Sequence, residues 1–93
     1  MEEKILTLHP EGKQGVNISK VKYETIRQAI LSILEEQQEI LFKDLPEAVE
    51  RKLEGSFDGS ITWYVTSVKL DLEARGLVIR VPKSSPQRLR LAS

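Results

Sequence analysis

Between Ser60 and Gly76 a helix start and a helix stop enclose one amphipathic run, and alternating residues follow it directly. A chain ordered this way has to pack a helix against a C-terminal hairpin. The Ser60 hydroxyl can accept from the unpaired N–H groups of a first turn, and glycine takes the left-handed backbone of a helix stop at little cost. Arg75 places a cation where the helix dipole favours one. At 100° per residue, Ile61, Tyr64, Val65, Val68 and Leu72 gather on one face. Thr62, Thr66, Lys69 and Glu73 form a polar stripe. Trp63 and Leu70, with Ala74 nearby, fall on neither and make a second, narrower apolar strip.

Residues 77–81 alternate as a half-buried strand does, 82–87 are rich in turn formers, and 88–91 alternate again. The pattern predicts Leu77, Ile79, Val81, Leu89 and Leu91 facing inward. Arg80, Arg88 and Arg90 would then point outward together, giving a hairpin with one basic face.

Upstream, Ser19 is the expected cap of a first helix, with Ile18 and Tyr23 at the positions of a hydrophobic staple. Tyr23, Ile26, Ile30, Ile33 and Leu34 keep the helical spacing, which fades at Gln37 and Gln38. Ile40, Leu41 and Phe42 are too few for a helix and suit a brief strand. Asp44 with Glu47 reads as a capping box opening a second helix, Pro46 falls in the tolerant first turn, and Gly55 ends it. Leu45, Ala48, Val49 and Leu53 line its inner side. Pro10, Gly12 and Gly15 punctuate residues 1–18 as an arm, in which Ile5, Leu6 and Leu8 can form a short docked strand.

The expected fold class is therefore α+β. It is a winged helix: three helices plus a small antiparallel sheet with a C-terminal β-hairpin wing, an arm over 1–18 and the domain over 19–93. The alternative is an α+β domain whose hairpin packs elsewhere. Ninety-three residues suffice for one domain with a modest core. Cysteine is absent, which removes disulfides, thiolate metal sites and cysteine nucleophiles together. No stretch approaches the roughly 18 apolar residues of a membrane span, so the expected location is cytoplasmic.

Formal net charge is zero but unevenly placed. Residues 1–59 hold eight Lys/Arg against twelve Asp/Glu, and residues 60–93 hold six against two. After Glu73 every charged side chain is a cation: Arg75, Arg80, Lys83, Arg88 and Arg90. That polarity is the main electrostatic pointer to a partner.

The run Gly59, Ser60, Ile61, Thr62, Trp63, Tyr64, Val65, continued by Val68 to Gly76, resembles a family of small uncharacterised bacterial proteins. So do residues 9–15 of the arm and 86–91 of the tail. The likeness spans almost the whole chain. It implies a bacterial origin and a winged-helix fold, and it transfers no activity and no site residue. The third helix with its hairpin is also similar to winged-helix transcriptional regulators.

The candidate DNA-contacting residues follow from this geometry. Helix-turn-helix proteins insert the start of the recognition helix into the major groove, which singles out Thr62, Thr66 and Lys69. The wing adds Arg80, Lys83, Arg88 and Arg90 against a phosphate backbone. The plainer alternatives are a solvated helix stripe, with Glu73 repelling phosphate, and edge-strand charges that discourage aggregation. Trp63 and Leu70 are candidate interface residues; the plainer reading buries Trp63 beneath the arm. Gly12 and Lys13 lack the glycine spacing and the hydroxyl of a phosphate-binding loop. His9, alone and without cysteine, makes zinc improbable. No catalytic residue, metal or cofactor is expected. The expected function is double-stranded DNA binding by a small regulator, dimeric on two half-sites. The alternative is a winged-helix protein-interaction module, as a homodimer or with another protein, that leaves nucleic acid alone.

Overall fold

A computed structural model describes residues 2–92, so the outermost residues of the expected arm and domain lie outside the description. The elements are β1 (Lys4–Leu6), β2 (Asn17–Ser19), α1 (Lys20–Gln37), β3 (Glu39–Leu41), a 3₁₀ turn (Phe42–Asp44), α2 (Leu45–Leu53), α3 (Ile61–Ala74), β4 (Val78–Arg80) and β5 (Arg88–Leu91). The arm forms two strands rather than one: β1 and β2 pair antiparallel, apart from an antiparallel sheet of order β3-β5-β4. From α1 onward the helix, strand, helix, helix, strand, strand order is the one expected, and β4 and β5 make the C-terminal hairpin.

Local chemistry sets most boundaries. The Ser19 hydroxyl accepts from the Lys22 N–H at 3.3 Å, and the Ser60 hydroxyl from the Trp63 N–H at 3.2 Å. The expected Asp44 cap is different: its side chain caps nothing, because residues 42–44 are wound into a 3₁₀ turn that runs straight into α2. At the end of α3, the Leu77 N–H donates to the Leu72 carbonyl at 2.9 Å and the Gly76 N–H to that of Glu73 at 3.1 Å. This crossed pair needs Gly76 in the left-handed region, where its φ is 77°.

The core is aliphatic. Ile26, Ile30, Ile33 and Leu34 of α1 meet Leu45 and Val49 of α2, Val65, Val68 and Leu72 of α3, and Ile40, Val78 and Leu89 of the sheet. Ile18 and Tyr23 are both buried in it, as a staple would place them. Tyr64 and Ile61, expected inside, are only partly buried against its edge.

The hairpin's phase corrects the sequence expectation. Leu89 lies opposite Ile40 on one side and Arg80 on the other, and Leu91 lies opposite Val78. Residues directly opposite share a face, so Val78, Arg80, Leu89, Leu91 and Ile40 form the inner face. Ile79, Arg88, Arg90, Glu39 and Leu41 form the outer one. Val78 is thus buried where Leu77 was expected, and Leu77 is exposed. The reason is the helix stop: Leu77 is consumed by the α3 cap, and residues 77–79 are all apolar, so alternation alone fits either phase.

Candidate nucleic-acid interface

The stripe on α3 begins at Thr62, exposed, and Thr66, half-buried. The next residue departs from expectation. Lys69 is 2% exposed and does not reach outward. Its Nζ lies 3.3 Å from Glu73 Oε2 and 4.5 Å from the centre of the Phe42 ring, in the 3₁₀ turn. Burial lowers the Lys69 pKa from its ordinary value, and the Glu73 carboxylate opposes that shift. A lysine enclosed by a carboxylate and an aromatic face has no reach to a phosphate or a base.

Glu73 also takes the first cation of the wing. The Arg80 Nε donates to Glu73 Oε1 at 2.8 Å, while Glu73 itself is nearly buried. Arg80 therefore stands on the inner sheet face and leans toward α3, and the expected row of three arginines does not form. Arg88 and Arg90 remain exposed on the outer face, where Glu39 lies directly opposite Arg90. Lys83 is exposed in the β4–β5 turn, with φ at 62°.

So the structure brings Lys69 and Arg80 together, but onto a shared carboxylate. Thr62 and Thr66 share one side of α3, and Arg88 and Arg90 share one side of the sheet. At its other end the α3 stripe meets α2, where Thr62 lines a shallow groove with Glu47 and Glu50. Lys43 lines the same groove and Arg51 pairs with Glu47, so charges of both signs flank Thr62, while at the far end Glu73 is taken up by Lys69 and Arg80.

The second strip on α3 behaves differently. Trp63 is 46% exposed, and the arm does not cover it. The arm reaches α3 two turns further on, where the Leu8 N–H donates to Asp71 Oδ1 at 2.8 Å. Trp63 instead stacks edge-to-face on Tyr64 at 4.9 Å, and Tyr64 stacks the same way on Phe57 at 5.1 Å. The Lys22 Nζ lies 5.7 Å from the Tyr64 ring centre and 5.9 Å from that of Phe57. A Cβ on Gly59 would come within 3.1 Å of the Tyr64 ring and 3.2 Å of Phe57, so the backbone closes tightly on this stack. Leu70 is half-buried on the same strip.

Sequence reasoning missed Asp71, the best-connected polar side chain in the molecule's described part. It is fully buried and accepts from the Leu8 N–H, from Arg75 Nε at 2.8 Å and from the Tyr23 hydroxyl. Burial, then the hydrogen bond to Asp71, pushes the Tyr23 pKa up to about 12. The same carboxylate raises that of Arg75. The available signal was the Asp71–Arg75 spacing of four beside a core position. The tyrosine and arm partners are distant in sequence and left none.

Among the described residues no group of three or more His, Asp or Glu is placed to hold a metal, and no helix is long and apolar enough to cross a membrane. Comparison with curated proteins and with solved structures returned no match. A family model does match, over residues 4–89. The chain accordingly belongs to the family of unknown function DUF6958.

Proposed function

We propose that this chain is a protein-interaction module built on a winged-helix plan, presenting α3 to another protein surface. One observation carries the reading: Trp63 stands 46% exposed on a rigid aromatic stack, beside a stripe whose one lysine is neutralised internally. Tryptophan held rigidly at a surface is the side chain that contributes most per contact at interfaces. The reading is tested by placing a photoreactive amino acid at Thr66, beside the strip, in cells that make the protein. An adduct with protein that disappears when Trp63→Ala is added supports the module. An adduct with nucleic acid, or none at all, overturns it.

A second reading, duplex contact by the wing alone, rests on Lys83, Arg88 and Arg90. All three are exposed, and none is in an ion pair among the described residues. It makes the basic hairpin the contact and leaves α3 out of the groove.

A further inference from the structure

The interaction reading leaves open what covers α3, and the residue order along its second strip, where Trp63 is exposed and Ser67, Leu70 and Ala74 are half-buried, addresses this. Trp63, Ser67, Leu70 and Ala74 follow one another at helical spacing, with large and small side chains alternating in a mirrored order: large, small, large, small. Running a second copy of the helix antiparallel, with the two-fold axis between Ser67 and Leu70, sets Trp63 opposite Ala74 and Ser67 opposite Leu70. Every large side chain then faces a small one, twice over by symmetry. A parallel arrangement sets Trp63 on Trp63 and Leu70 on Leu70, which holds the backbones apart. We propose that the partner of this strip is a second copy of the chain, packed antiparallel through α3.

The charges around the strip agree with a self-pairing. None of its four residues is ionisable. Glu73 on one flank is taken up by Lys69 and Arg80, and Asp71 on the other by Arg75, so the dyad brings no unmatched like charges together. Formal net charge is zero, so two copies do not repel one another as wholes. The arm continues the surface. Leu8, 45% exposed, is held beside Asp71 by its main-chain hydrogen bond. At a rise of 1.5 Å per residue it lies about 4 Å along the helix from the axis, so the two Leu8 residues meet on the same flank. A strip along one helix is a small contact beside the usual interface of about 1,600 Å², in the range of weak and transient pairings.

The proposal rests on the interaction reading, but it is tested with purified protein alone. The absence of native cysteine makes single-cysteine variants clean reporters. Sedimentation of the full chain is expected to show a monomer–dimer equilibrium, with Trp63→Ala weakening it at least tenfold while the circular dichroism spectrum is kept. Mixing Ser67→Cys with Leu70→Cys under mild oxidation is expected to give the mixed disulfide, as is Trp63→Cys with Ala74→Cys. Trp63→Cys alone should not couple to itself, because the two sites are about 16 Å apart along the axis, beyond disulfide reach. A chain still monomeric at roughly 500 μM, where even a weak dimer with a constant of about 100 μM would be mostly associated, overturns the proposal. So does self-coupling of Trp63→Cys in preference to the mixed pairs. If the chain is monomeric yet the cellular adduct at Thr66 is protein, self-pairing falls and the interaction reading stands.

Discussion

Asp71 concentrates more of the molecule's polar energetics than any other single residue described. Three donors from three segments converge on one fully buried carboxylate. Asp71→Ala is expected to cost about 2 to 4 kcal/mol, since it strands the Leu8 N–H and the Tyr23 hydroxyl and removes the partner of Arg75. Urea denaturation checks this. A loss below about 0.5 kcal/mol, the size of an ordinary surface substitution, would show that the network contributes little. Tyr23 makes a second, pH-dependent prediction. Its folded pKa of about 12 exceeds the ordinary 10, so between those values the folded state binds more protons than the unfolded one. Stability from this group is therefore complete below pH 10 and lost as pH rises toward 12. The loss approaches about 3 kcal/mol, from 1.36 kcal/mol per unit. Tyr23→Phe should flatten that decline in a series of denaturation curves. An unchanged slope would mean that the tyrosine keeps its ordinary pKa.

The elements are joined by two polar clasps, one within the arm and one between α3 and β4. The first holds the arm. The Thr7 N–H donates to the Val16 carbonyl at 2.8 Å and the Val16 N–H to the Thr7 hydroxyl at 2.9 Å, closing the loop that precedes β2. Gly15 permits this closure, for a Cβ there would sit 1.8 Å from the Thr7 carbonyl oxygen. Gly15→Ala is expected to open the arm, seen as faster hydrogen exchange at the Thr7 and Val16 amides with α2 protected as before. Equal loss of protection throughout would make the arm part of one cooperative unit with the core. The second clasp is Lys69–Glu73–Arg80, which ties α3 to β4. Glu73→Gln leaves the buried Lys69 cation without its carboxylate and is expected to destabilise the fold by about 3 kcal/mol. Glu73→Met paired with Lys69→Met should recover most of that loss in the same denaturation assay.

At the scale of the whole molecule, the net charges of the two halves of the chain are opposite, yet the second half's excess cations are not pooled on one surface. Lys69 is buried and Arg80, though half-exposed, is paired with Glu73, which leaves Lys83, Arg88 and Arg90 as the hairpin's unpaired cations among the described residues. Three phosphate contacts give a salt slope of about −2.7 for log affinity against log salt, and binding of that kind fades by physiological salt. A mobility-shift titration on mixed duplexes should therefore show at most weak retention at low salt. Retention with a slope steeper than about −5 would demand more phosphate contacts than these cations supply and would return α3 to the groove.

Residue order alone established the element order from α1 onward, the caps at Ser19 and Ser60, the stop at Gly76 and most of the aliphatic core, because caps, breakers and helical periodicity act within a few residues of chain. It also picked out Trp63 as lying outside the core face of α3. Folding in three dimensions decided the rest. Which phase of residues 77–81 faces inward depends on the helix stop taking Leu77 and on Leu89 across the sheet. Whether Lys69 meets solvent depends on Glu73 and Phe42 being carried to it, whether Arg80 is paired depends on Glu73 alone, and whether the arm covers Trp63 depends on where Asp71 captures Leu8. Coulomb attraction and burial act through space, so residues far apart in the chain can cancel a charge pattern that looks continuous along it.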